Sequence, residues 1–464
     1  MGDDEMIDQR KKQILALQGG QQAVSRIEGR GEPKIGIDEF MSIADRFGFA
    51  PPTLRAIRKL LERDERTTGP YLANYYSGLK QTKVQAYEAA ARTLFGVKYA
   101  IGVSSGTGAL HAAFVAAGVG PGTEVICSAI GFFATAAAVV EARGVPVFCD
   151  VDTSLGMDPR KIAGLITPRT VAIVPTHVMG AVSDMGAIMK IARAHKLKVI
   201  EDCAQACGAT FKGRYVGTIG DLGCFSIAAY KIVGGGEGGL VLTNNRRLWE
   251  RASQLAECGG LWRPDRFAPP RYDGELFCGT NYRMSELEAA VDVVQLAKVT
   301  ATVRRFHSVK SRIVRRLKTY REIIPQKAND YQGEVGYLLR FFPATFQLGE
   351  RIVKALKAEG IACSFRGRGS SPDWHVYSGM QPLLVKGTAT GVKCPFDCPE
   401  YRKKGGRIKY QKGDCPVADD LFDRMISINL NQWYNANDCR HIADGLGKVL
   451  DAYCTPDTRG GTWM

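Results

Sequence analysis

The sequence predicts an α/β protein with a mostly parallel central sheet, and three observations predict it. Between about residues 82 and 245, short strand-like runs alternate with helical patterns. The runs are apolar throughout, as strands covered on both faces are. Glycines and carboxylates follow several of them, at the strand ends where ligands sit in such sheets.

In chain order, residues 1–65 read as a polar N-terminal arm with helical pieces at 40–47 and 53–65. The second carries Leu54, Ile57, Leu60 and Leu61 at helical spacing. Strands are expected at 99–103, 124–127, 145–150, 171–176, 198–201, 224–227 and 239–243. Helices at 108–117, 134–143 and 185–195 separate the early ones. A long helical stretch, 285–317, leads out of this region. The remainder reads as a smaller α+β domain, with a strand at 337–342, a helix at 348–359, a loop-rich segment at 364–420 and a closing helix at 437–452. The expected division is an arm at 1–65, a large α/β domain at 66–300 and a small C-terminal domain at 301–464.

A chain of 464 residues can bury cores for two such domains. Hydrophobic residues at 45% and charged residues at 23% are ordinary for a globular protein. No basic stretch feeds an apolar run at the N-terminus, so no signal peptide is expected. The uncharged stretch 100–123 is too rich in glycine and hydroxyls to read as a membrane span. A cytoplasmic protein is therefore expected, its 13 cysteines reduced. Cys394, Cys398 and Cys415 offer three soft ligands where a structural zinc site wants four, and no metal is expected there. The net charge of +15 suits an anionic substrate. The basic residues are spread along the chain and no nucleic-acid-binding signature accompanies them, so nucleic acid is not an expected partner.

Three segments carry chemistry. Ser104-Ser105-Gly106-Thr107-Gly108 follows a strand and opens a helix. Free amides at a helix N-terminus, with hydroxyls beside them, bind phosphate well. The motif lacks the third glycine of a dinucleotide fingerprint, and a plain tight turn is the alternative. Glu201-Asp202-Cys203-Ala204-Gln205 ends another strand. Lys231 follows the apolar run Cys224-Phe225-Ser226-Ile227-Ala228-Ala229-Tyr230 and precedes five glycines within 234–239. That is an odd place for a solvated charge, whereas a Schiff-base lysine needs a dry site that favours its neutral form.

Five ordered stretches carry a resemblance. They are Val103-Ser104-Ser105-Gly106-Thr107, Val199 to Ala206, Cys224-Phe225-Ser226, Gly236-Glu237-Gly238-Gly239 and Gly279 to Met284. Together they resemble the DegT/DnrJ/EryC1/StrS family of sugar aminotransferases, pyridoxal-5′-phosphate (PLP) enzymes of fold type I. The resemblance runs from about residue 65 onward. It implies Lys231 as the Schiff-base lysine and proton shuttle, and Asp202 as the carboxylate facing the pyridine nitrogen. A buried anion there keeps the ring protonated. Gln205 matches the contact to the 3-hydroxyl. Ser105, Gly106, Thr107 and Ser226 match the phosphate cradle, and Asn281 the phosphate contact from a partner subunit. Phe132 falls where the family places its ring-stacking aromatic, with a core phenylalanine as the alternative. His177 matches a position near the cofactor, with a structural histidine as the alternative.

The chain departs from the family pattern at Cys207, where His is usual, and at Tyr230, before the lysine. Both border the substrate side. The retained lysine argues against the family's dehydratase branch. The expected function is amino transfer from L-glutamate or glutamine to a keto-sugar, nucleotide-linked, or to a keto-cyclitol, by a homodimer with shared active sites. A PLP-dependent dehydratase or oxidase, or a non-catalytic regulatory protein, are the alternatives. Arg366, Arg368, Trp374, His375 and Tyr377 are the expected substrate contacts, by composition alone.

Overall fold

The computed structural model of the chain describes residues 14–24, 26, 33–64, 68–70, 72, 81–366 and 372–464. The chain divides into two compact units, Met1–Leu72 and Ala73–Met464. In the first, helix α1 (Ile37–Asp45) and helix α2 (Pro51–Leu61) both begin a little before the expected pieces. The Glu39 carboxylate accepts from the Gly36 amide at 2.7 Å, and Pro51 occupies the first turn, where its missing N–H costs nothing.

The second unit is built on a seven-stranded sheet. Its strands are β1 (Tyr99–Val103), β2 (Glu124–Ser128), β3 (Val145–Cys149), β4 (Thr170–Val174), β5 (Lys198–Asp202), β6 (Leu222–Ser226) and β7 (Gly239–Thr243). The order is β1-β7-β6-β5-β4-β2-β3. Only β7 runs against its neighbours β1 and β6, so the expected mostly parallel sheet is what the chain adopts.

Alternate residues of the strands enter opposite cores. Ile126, Ile173 and Val199 pack on one face. Val125, Cys127, Ala172, Val174 and Ile200 pack on the other. Both sets are apolar because helices cover both faces, which is why the runs lack polar alternation. Helix α3 (Lys83–Phe95) is closed by a Thr82–Gln85 capping box and a left-handed Gly96. Helices α4 (Gly106–Ala116), α5 (Ala134–Glu141), α6 (Met185–Ala194) and α7 (Arg246–Ala256) follow. The Asp184 and Asn245 side chains cap α6 and α7.

The expected helix 285–317 is two helices, α8 (Glu286–Leu296) and α9 (Val299–Val314). The Lys298 amide bonds back to the Gln295 carbonyl, a tightened final turn that breaks the regular ladder. Beyond it lies a four-stranded antiparallel sheet of β8 (Ile323–Pro325), β9 (Leu338–Pro343), β10 (Ser364–Phe365) and β11 (Ile426–Asn429), ordered β8-β9-β11-β10. Helices α10 (Phe346–Ala358) and α12 (Ala436–Tyr453), the latter preceded by α11 (Pro416–Arg424), complete this part. The first two cover a core of Leu339, Phe341, Ile352, Leu356, Ile428 and Leu446. Among the described residues no helix is long and apolar enough to cross a membrane.

Candidate active site

The carboxyl ends of β1, β2, β4, β5 and β6 bring most of the singled-out residues to one edge of the large sheet. Asp202 closes β5 and is buried. Its Oδ1 accepts from the Ala204 amide at 3.1 Å and its Oδ2 from the Thr135 hydroxyl at 2.5 Å. Asp202 also joins the end of β4, since the His177 amide donates to its carbonyl and its own amide donates to Pro175.

Helix α4 starts at the same edge. The Ser105 side chain accepts from the Gly108 amide at 3.0 Å and so acts as N-cap. The amides of the first turn have no intrahelical acceptor, and Thr107 is exposed beside them. Ser226, at the end of β6, is packed against this turn. A Cβ on Gly106 would stand 2.7 Å from the Ser226 Cβ, and one on Gly239 would stand 2.2 Å from the Ser105 carbonyl oxygen. The two strand ends can therefore meet only with glycine at both positions.

Lys231 lies in the turn between β6 and β7. The Ala229 amide donates to Gly236 and the Lys231 amide to Ala228. Its Nζ is 4.9 Å from the centre of the Tyr230 ring, and among the described residues no carboxylate pairs with it. Burial lowers the basicity of this amine, while the Asp202 charge pulls the other way. Two acids brace the turn from below. A Cβ on Gly235 would stand 2.2 Å from the Asp292 Oδ1 and 2.7 Å from the Glu288 Oε1. Burial first, then the Glu288 charge, raises the Asp292 carboxyl to about 8.

Gln205 is half-buried, with its Oε1 accepting from the Met179 amide at 2.8 Å. Met179 sits in a left-handed turn, φ 51°. Its carbonyl accepts from the Arg340 guanidinium at 2.5 Å, which ties the smaller sheet to this edge. Arg340 is buried, and burial lowers its basicity to about 10.

The other expectations fare differently. Phe132 is 44% exposed at the rim and packs on His375, ring centres 5.2 Å apart, so it is not a core residue. His177 is fully buried, with its Nδ1 accepting from the Ser183 amide and its Nε2 3.2 Å from Glu201. The Glu201 carboxylate also accepts from the amides of Gly217, Ile219 and Gly220. His177 is therefore held in a hydrogen-bonded node behind the edge. Among the described residues, His177, Glu201 and Cys203 are the one group of three metal-capable side chains that converges. The histidine nitrogens and carboxylate oxygens are already engaged there. Cys415 instead points its thiol at the Phe148 carbonyl. Asn281 is exposed, and its side-chain oxygen accepts from the Arg283 amide.

Of the loop expectations, Trp374 packs on Phe133 and Arg366 pairs with Asp373 at 2.6 Å. Tyr377 is buried, and its hydroxyl donates to Asp419 while accepting from the Cys415 amide. It is a structural node rather than a substrate contact. Arg368 lies outside the described residues. Sequence reasoning missed Thr135, Met179 and Arg340. For Thr135 a signal existed, a lone hydroxyl in the first turn of the apolar helix Ala-Thr-Ala-Ala-Ala-Val-Val.

An α/β sheet bearing a helix N-terminus, a buried carboxylate and a lysine of lowered basicity along one edge fits a PLP-type transferase. The family model described as the DegT/DnrJ/EryC1/StrS aminotransferase family matches residues 73–366, and the chain belongs to that family of PLP-dependent aminotransferases. The UDP-N-acetyl-3-dehydro-α-D-glucosamine 3-aminotransferase of Acidithiobacillus ferrooxidans is 36% identical, across 84% of this chain and 94% of that protein. The L-glutamine:2-deoxy-scyllo-inosose aminotransferase of Streptoalloteichus tenebrarius is 37% identical, but across 54% of this chain and only 59% of its own length. An aminotransferase structure from Psychrobacter cryohalolentis superposes with a TM-score of 0.66 at 26% identity, covering 87% of this chain and 98% of that one.

Proposed function

We propose that this chain transfers an amino group from L-glutamate or L-glutamine to the ketone of a nucleotide-linked keto-sugar, with a keto-cyclitol as the second candidate acceptor. One observation carries the reading. A half-buried lysine of lowered basicity, without a carboxylate partner, shares a sheet edge with a buried carboxylate and a helix N-terminus. The residues fit PLP, because Gly106 lets Ser226 lie directly against the first turn of α4, so that hydroxyls and amides without intrahelical acceptors converge at one strand end.

The Gly106 and Thr107 amides, with the Thr107, Ser105 and Ser226 hydroxyls, would hold the phosphate. Asp202 would face the ring nitrogen and Gln205 the 3-hydroxyl, with Phe132 against the ring face. Lys231 would anchor the cofactor covalently and, once displaced, carry the proton at its Nζ. The cofactor, when bound, supplies the carbonyl carbon that receives the amine and the electron sink for the proton transfer. His177 supports Glu201 rather than touching the cofactor.

The activities of the two relatives, one on a UDP-linked 3-dehydro sugar and one on an inosose, support these acceptor classes. We further assign residues 66–300 to a large cofactor-binding domain and 301–464 to a smaller one, which the separate seven-stranded and four-stranded sheets support. We read the enzyme as a homodimer in which the exposed Asn281 serves the partner's site. Its 13 unpaired cysteines suit the reducing cytoplasm.

The test incubates the PLP-loaded protein with L-glutamate or L-glutamine, then with UDP-N-acetyl-3-dehydro-glucosamine or 2-deoxy-scyllo-inosose, and analyses the products. An aminated sugar or cyclitol formed only with donor present is expected. A dehydrated product that needs no donor would overturn the reading in favour of a dehydratase.

A further inference from the structure

The hydroxyl of Thr135 is bonded in an unusual direction for a helical threonine. In the first turn of a helix such a hydroxyl commonly bonds a backbone group of its own segment. Here it donates to the Asp202 Oδ2 at 2.5 Å, across 67 positions of sequence, with both side chains buried. The contact is built in by the preceding turn. A Cβ on Gly131 would stand 2.9 Å from the Thr176 Oγ1, so glycine there lets the β2–α5 turn lie directly on the end of β4. Thr176 is itself bridged to Asp202. The turn thus delivers Thr135 to the carboxylate, and Ala136, Ala138 and Val139 on the same helix are buried.

The Asp202 carboxylate has about four acceptor positions. The chain occupies one on each oxygen, by the Ala204 amide and the Thr135 hydroxyl. Two donors on different oxygens fix both the tilt and the rotation of a carboxylate, which one donor cannot do.

We propose that Thr135 is a positioning residue that holds the Asp202 carboxylate in the orientation required to pair with a protonated pyridine nitrogen. This rests on the PLP reading above and adds a residue to it. A hydrogen bond to a charged group is worth enough that its loss should weaken PLP binding roughly tenfold or more.

The experiment compares wild type with Thr135→Val, Thr135→Ala and Thr135→Ser, loading each apoprotein with PLP. PLP dissociation constants are read, together with the pH titration of the bound cofactor's absorption band. Valine and alanine should raise the dissociation constant roughly tenfold and move the titration midpoint, while serine restores both to near wild type. A merely structural threonine would change the melting temperature without moving that midpoint. The alanine variant keeps the test available should valine prevent folding. Val and Ala variants with wild-type affinity and midpoint overturn this proposal alone. Wild-type protein that takes up no PLP overturns the cofactor reading, and this proposal with it.

Discussion

Lys231 and Asp202 are opposite cases of one rule, that burial disfavours charge unless a partner is supplied. Asp202 receives two donors, whereas Lys231 receives no anion among the described residues and its amine is less basic for it. Its free amine should therefore become available below the ordinary lysine range near about 10.4. The rate at which apoprotein captures PLP should rise with pH to a midpoint below that value, which stopped-flow absorbance would measure. Lysine and aspartate were legible because each ends an apolar run beside an oddly placed charge or a glycine cluster. Thr135 offered only a weaker signal, a lone hydroxyl in an alanine-rich helix, and its partner lies 67 positions away, so its role could not be read. For His177 the sequence left two readings open, near the cofactor or structural. Its position in sequence says strand end, and only the fold reveals that the ring turns to Glu201.

At the scale of elements, two packed turns decide the geometry of the edge. Gly106 permits the α4 turn to meet β6, so Gly106→Val should weaken PLP binding at least about tenfold, while serine-capped α4 stays folded by circular dichroism. The Lys231 turn rests on Glu288 and Asp292. A carboxyl raised to about 8 in the folded chain and near about 4 unfolded binds its proton through folding. Its contribution to stability is complete below about pH 4 and is lost as pH rises towards about 8. Calorimetric stability should therefore fall across that window, and Asp292→Asn should flatten the fall. The element pattern itself was readable, since β1 and β7 occupy the expected residues and most others differ by one or two positions. The split between α8 and α9 was not, because no glycine or proline marks Ala297–Lys298 and the break lies in backbone hydrogen bonding.

For the whole molecule, the sheet's order could not be read from runs of apolar residues, because periodicity gives strands but not neighbours. Family membership and the superposed aminotransferase fold fill that gap. If active sites are shared across a homodimer, mixing inactive Lys231→Ala with inactive Asn281→Ala subunits should regain roughly a quarter of wild-type activity, since half of the dimers are hybrids with one intact site. Sites confined to one subunit would regain none.

The most direct measurement is the absorption spectrum of the PLP-loaded protein, before and after borohydride reduction and after L-glutamate or L-glutamine. A band at about 410–430 nm is predicted, bleached by borohydride with the cofactor fixed on the Lys231 peptide, and moved to shorter wavelength by the amino donor. Lys231→Ala should show no fixed cofactor and almost no turnover. A protein that stays colourless with added PLP, or that fixes it on another lysine, would contradict the account.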